Sequence, residues 1–153
     1  MEHIPQRFSV AKGHRGEQLV YQQLVSIFGR DAHKMSARAP YDLIVDGIRV
    51  DVKTGFPRRQ YAKYDLISWQ FYIYKDGASP KIQPDCYVLR LEDLPYSKHA
   101  MHLVCLAPIQ SPTINISIAS LLKQRWAKEY QQWIDLTQGK LKIPNFVPTI
   151  LSV

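Results

Sequence analysis

YDLIVDGIRVDVKTG, residues 41–55, is two apolar runs joined by a tight-turn dipeptide, and its reading as a β-hairpin places everything else in the chain. Asp42 opens the first run, Asp46-Gly47 supplies the turn, and the second run returns as Ile48, Val50 and Val52 alternating with Arg49, Asp51 and Lys53. Successive strand side chains point to opposite faces. Asp51 and Lys53 therefore share one face, and Val50 and Val52 take the other, where a core is expected. An acid and a lysine side by side on a strand, with another acid from the preceding strand, can hold a divalent cation next to a general base or electrostatic stabiliser. The competing reading is a solvated Asp/Lys face on an edge hairpin, and a D-x-K spacing alone does not exclude it.

Three neighbouring features favour the chemical reading. Asp42 follows Pro40-Tyr41 and precedes the wholly apolar Leu43-Ile44-Val45, so it lies where a buried strand emerges. Upstream, a helix-like segment beginning near Arg15-Gly16-Glu17 carries Glu17 at its start, and downstream Thr54-Gly55 ends the second strand abruptly. A helix glutamate, then Pro40-Tyr41-Asp42 on one strand, then Asp51-Val52-Lys53 on the next, resembles the PD-(D/E)xK nuclease superfamily. Within it the run is most similar to the small homing endonucleases encoded by group I introns, and also to archaeal Holliday-junction resolvases. The resemblance covers about Gly13 to Gly55. It implies a single α/β domain with a mixed β-sheet flanked by helices, and metal-dependent hydrolysis of duplex DNA. It further implies Glu17, Asp42, Asp51 and Lys53 as catalytic residues, with Asp42, Asp51 and the backbone carbonyl of Val52 as ligands of Mg²⁺ or Mn²⁺.

The composition agrees with a polyanionic partner. The 153 residues are one domain's worth, with an N-terminal arm expected over 1–10 and an extended tail over 140–153. Twenty basic against 13 acidic residues give a formal charge of +7, which favours a polyanionic partner such as nucleic acid over an acidic protein or a neutral metabolite; double-stranded DNA is the partner that the resemblance implies. The two cysteines, Cys86 and Cys105, sit in apolar runs without Cys-x-x-Cys spacing, so buried packing is expected instead of zinc. The sequence MEHIPQRFSV lacks the apolar core of a signal peptide, and no run approaches a membrane span, so a soluble, cytoplasmic protein with no membrane partner is expected.

Along the chain, Val10 to Phe28 reads as a helix whose stripe is Val20, Leu24, Ile27 and Phe28, stopped by Gly29. Glu17 borders that stripe, where a helix carboxylate must lie to reach a strand-borne metal; a first-turn glutamate favoured by the helix dipole is the plain alternative. Residues 31–39 read as a loop or short strand. After the hairpin, FPRRQYAK at 56–63 mixes cations and aromatics, and Arg58, Arg59, Gln60 and Lys63 are the expected DNA contacts. A solvated basic loop is its alternative. Ile67 to Tyr74 reads as a strand buried at least partly on both sides, with Trp69, Phe71, Tyr72 and Tyr74 in the core. Strands are expected at Cys86 to Leu91, His102 to Leu106 and, more weakly, Thr113 to Ser117. His99 and His102 read as surface or packing residues. One helix is expected from about Ile118 to Leu136, then an extended tail with Pro144 and Pro148.

Mg²⁺ takes oxygen ligands and keeps several waters, so two carboxylates and a phosphate oxygen suffice to hold it. Lys53 beside two carboxylates suits orienting the nucleophile or stabilising the transition state better than acting as a free base. Glu17 could complete the shell through water or bind a second ion. P-loop, HExxH and GxSxG motifs are absent. The surviving alternatives are a resolvase-like structure-specific nuclease and a non-catalytic DNA-binding module on the same fold. One motif set per chain requires a homo-oligomer, a dimer or a tetramer, for concerted cleavage of both strands.

Overall fold

The computed structural model describes residues 6–59, 67–74 and 83–150. The chain runs α1 (Gln6–Gln22), a π-helical turn (Gln23–Ile27), β1 (Ala32–Lys34), β2 (Leu43–Val45), β3 (Ile48–Gly55), β4 (Pro57–Arg59), β5 (Ile67–Tyr72), β6 (Cys86–Leu91), β7 (Met101–Leu106), β8 (Thr113–Ser117), α2 (Ile118–Leu122) and α3 (Ala127–Thr137). Five strands form a mixed sheet in the order β1-β2-β3-β6-β7, and three form an antiparallel sheet in the order β4-β5-β8. The fold is mixed α/β with three α-helices among the described residues.

The hairpin is the centre of the larger sheet. Leu43 pairs with Val50 and Val45 with Ile48, and Asp46 and Gly47 turn the chain at φ 50° and 83°. Positive φ at both turn positions gives the twist a two-residue hairpin needs, and Asp-Gly tolerates it. On its other edge β3 runs parallel to β6, Val50 beside Cys86 through Gly55 beside Leu91. A parallel pair needs a long crossover. Here β4 and β5 occupy that connection, and they belong to the second sheet.

The strand β6 is apolar on both faces because both are covered. One face, with Val50, Cys86, Val88 and Val104, meets Val20 of α1, Leu24 of the π turn, and Trp133 and Leu136 of α3. The opposite face, with Tyr87, Leu89, Leu91 and Leu103, meets Trp69, Phe71 and Ile116 of the second sheet. α1 and α3 cover one face, and on the other the second sheet lies over the core with the short helix α2 beside it, through buried Ile118. Close approach of the two sheets is fixed at Gly55, where an added Cβ would stand 2.8 Å from the Phe71 ring.

Four expectations are corrected. The segment 1–10 is not an arm throughout, because α1 already begins at Gln6. The apolar stripe does not continue through Ile27, which is 68% exposed, because the wide π turn inserts a residue and rotates the end of the helix off the core face. Strand β5 is fully buried on one face and half-buried on the other at Ser68 and Gln70, but Tyr72, expected in the core, is 61% exposed. The C-terminal helix is two helices: Ser117 caps α2 by accepting the Ser120 N–H at 3.1 Å, and Gln124 breaks the run at φ 57°. The tail shows no helix or strand from residue 140 to 150, and Thr149 donates its N–H to the Gly47 carbonyl at 3.0 Å.

Candidate active site

Register brings the acids together. Leu43 opposes Val50, so the next rung sets Asp42 against Asp51, both on the face away from α1 and α3. The two carboxyls hydrogen-bond each other. Asp42 is also held by backbone: its own N–H donates to the Val50 carbonyl at 3.0 Å, and its Oδ2 accepts the Val52 N–H at 2.8 Å. A strand residue presents its N–H and C=O to the same edge. The Val52 carbonyl therefore faces the edge that Asp42 occupies, at the point where β2 ends and leaves β3 uncovered. Lys53 Nζ lies 3.1 Å from Asp51 Oδ2, and these side chains are 31% and 15% exposed.

Burial raises the pKa of both carboxyls above the ordinary range, Asp51 to about 7. Lys53 draws Asp51 back down, and the Asp42 charge pushes it up. Two carboxyls in hydrogen-bond contact at reduced solvation must share a proton or find a cation. This donor set fits Mg²⁺: Asp42, Asp51 and the Val52 carbonyl would hold it, with water and phosphate oxygens completing the shell. Among the described residues no group of three or more His, Cys, Asp or Glu side chains forms a metal cluster. The carboxylates alone are therefore two.

Glu17 acts on Asp42 from α1 without joining a three-carboxylate cluster, and a close helix–strand contact sets its place. A methyl group at Gly16 would overlap the Thr54 hydroxyl, so the absence of a side chain there lets α1 rest on the end of β3. Glu17, the next residue, acts electrostatically on Asp42, pushing its pKa up, and lies 3.9 Å from His14 Nδ1. The Thr54 Oγ1 is buried with no hydrogen-bond partner. Sequence reasoning misses Gly16 in this role; its only signal is a glycine inside a helix beside the motif glutamate.

A second support was illegible. Asp85 takes the Arg49 backbone N–H at 2.8 Å and its guanidinium at 3.0 and 3.3 Å. This clamp pins the start of β6 to β3 and fixes the parallel register that backs Asp51. Of the expected DNA contacts, Arg58 is exposed on β4 and its guanidinium donates to Gln70 Oε1. Arg59 closes β4, while Gln60 and Lys63 lie outside the described residues. His102 is a packing residue: it stacks on Trp133 at 4.4 Å between centroids and accepts from Arg90 at 2.9 Å, and burial pushes its pKa down to about 3. Cys86 and Cys105 are free thiols, the first buried.

No helix among the described residues is long and apolar enough to cross a membrane. Comparison with protein-family models, curated proteins and solved structures finds no match.

Proposed function

We propose that the chain is a metal-dependent endonuclease that hydrolyses phosphodiester bonds in duplex DNA at specific sites, with the habits of a homing endonuclease. One observation carries the reading: the hairpin register sets Asp42 against Asp51 at the open end of β2, with Lys53 ion-paired beside them. The resemblance to PD-(D/E)xK nucleases, including the intron-encoded ones, supports it, as does the formal charge of +7.

Held by Asp42, Asp51 and the Val52 carbonyl, Mg²⁺ would supply polarisation of the phosphate and acidification of a water. The chain supplies the geometry. Asp42 is fixed by the Val52 N–H beside Asp51, where a cation would take the place of the proton the two carboxyls share. Asp51 must release its proton to bind a cation, which its raised pKa makes easiest above neutral pH. Lys53 sits where its ammonium can donate to a phosphoryl oxygen as negative charge develops there. Glu17, at the edge of the pair, adds negative charge that holds an outer water or a further ion.

Cutting both strands requires a second copy of this site, and we propose a homo-oligomer, a dimer or a tetramer, that supplies it. The large apolar side chains of Val147 and Ile150, 78% and 87% exposed, give such an assembly material to bury.

The test is cleavage of duplex DNA by the wild type, Asp51→Asn and Lys53→Met, in Mg²⁺ and in EDTA. Both variants are expected to bind duplex and fail to cut. Full activity in EDTA, or in either variant, overturns the mechanism.

A further inference from the structure

The second sheet has an outer face that the catalytic reading leaves unused. Its inner positions, Trp69, Phe71 and Ile116, are buried against the larger sheet. The alternate positions point away from the protein: Arg58 on β4, Ser68, Gln70 and Tyr72 on β5, Asn115 and Ser117 on β8. Arg58, Tyr72 and Asn115 are exposed and the others half-buried. No carboxylate and no lysine occupies an outward position of these three strands. The charged side chains that usually solvate a sheet face are replaced by amides, hydroxyls and one guanidinium, which are the groups that hydrogen-bond to base edges.

The face is also ordered. Ser68 lies between Arg58 and Ser117, and Gln70 lies opposite Asn115. Gln70 Oε1 accepts from the Arg58 guanidinium and from the Tyr72 hydroxyl at 3.2 Å, so its amide is held with Nε2 as the group left to donate. Beside the face lies a cleft of about 590 Å³ lined by Asn115, Arg125, Trp126 and Glu129, and the carboxylate at this rim is accompanied by an arginine.

We infer that the outer face of β4, β5 and β8 is a base-reading surface for duplex DNA, with Gln70 and Asn115 entering the major groove and Arg58 beside them. The inference rests on the proposed endonuclease function. Charge complementarity favours this occupant: a basic chain presents three strands with no acidic side chain, and the one carboxylate lining the cleft on this face, Glu129, is accompanied by Arg125. So does shape, because the major groove, about 12 Å wide, admits two strands side by side, and Gln70 and Asn115 sit on such a pair. Asp42, Asp51 and Lys53 lie on the sheet face that the second sheet partly covers, so the site and the outer face look the same way. Arg58 is five positions on from Lys53, a span of at most about 17 Å at strand rise. At about 3.4 Å per base pair this sets Arg58 within about five pairs of the cleaved bond, with Gln70, its hydrogen-bond partner, beside it.

The experiment selects duplexes from a randomised DNA library with Asp51→Asn protein, and repeats it with Gln70→Ala/Asn115→Ala added. A second pair, Gln70→Glu/Asn115→Asp, keeps side-chain size and places carboxylates on the face. Thermal melting verifies that each variant folds. Either pair is expected to erase base preference at two or more positions near the cut and to weaken the preferred duplex at least about tenfold. Affinity for unrelated duplex should fall less for the alanine pair. An unchanged consensus and affinity in both pairs, with Mg²⁺-dependent plasmid cleavage intact in the otherwise wild-type protein, overturns this inference and leaves the endonuclease reading standing. Equal competition by single-stranded DNA also overturns it. A protein that neither selects a duplex nor cuts one loses both.

Discussion

Replacing Asp51 by Asn separates a catalytic carboxylate from a structural one, because the two readings predict opposite signs for stability. Burial raises Asp51 from 3.8 to about 7 in the fold. The folded protein therefore keeps a proton that the unfolded chain has released, and wild-type stability falls as pH rises through the window from about 4 to 7. The full displacement corresponds to about 4 kcal/mol, an upper bound because Asp42 and Asp51 titrate as a pair. Asparagine mimics the protonated acid and removes this cost, at the loss of an ion pair to the part-exposed Lys53 worth about 1 kcal/mol or less. In EDTA, Asp51→Asn should match the wild type near pH 4 and exceed it by about 1–3 kcal/mol near pH 8. Millimolar Mg²⁺ should narrow the gap by stabilising the wild type alone. Urea unfolding monitored by the fluorescence of buried Trp69 and Trp133 measures each value. A variant less stable than the wild type by about 1 kcal/mol or more near pH 8 would refute the reasoning. Asp51 would then be the partner of Lys53 and nothing more.

Two further outcomes are expected. Gly16→Ala gains helix propensity of about 1 kcal/mol but must push α1 off Thr54; cleavage should fall at least about tenfold while unfolding free energy changes by less than about 2 kcal/mol. If cleavage keeps its wild-type rate, the contact does not position Glu17. Light scattering of the free and DNA-bound protein should report a dimer or larger assembly, and a monomer in both states would leave nicking as the only activity one motif set can support.

The hairpin and the acids were legible because their signals are local. Alternation over residues 48–53 and the Asp46-Gly47 turn fix which side chains share a face, and the turn then sets the register. The apolar run of β6 announced a strand, but not that a second sheet would cover one of its faces. The cover over a face depends on partners distant in sequence, as with Phe71 over Gly55. The Arg49–Asp85 clamp was unreadable for the same reason, since its members stand 36 residues apart. Helix bounds failed where backbone geometry overrode periodicity: the π turn after Gln22 and the positive φ of Gln124 leave the apolar spacing nearly intact while redirecting the side chains. Tyr72 shows the limit of composition, because an aromatic strand can place one ring outward when only one face meets a core.

The central claim is that the Asp42–Asp51 pair with Lys53 breaks phosphodiester bonds in duplex DNA with a divalent metal. Incubation of the pure protein with a plasmid library carrying its own genomic neighbourhood, with and without Mg²⁺, and mapping of the resulting ends test it most directly. Discrete double-strand ends that appear with Mg²⁺ and vanish with EDTA are the predicted result. Tight duplex binding with no ends under either condition would contradict the claim and leave a DNA-binding module, while cuts confined to branched molecules would replace site-specific cleavage by junction resolution.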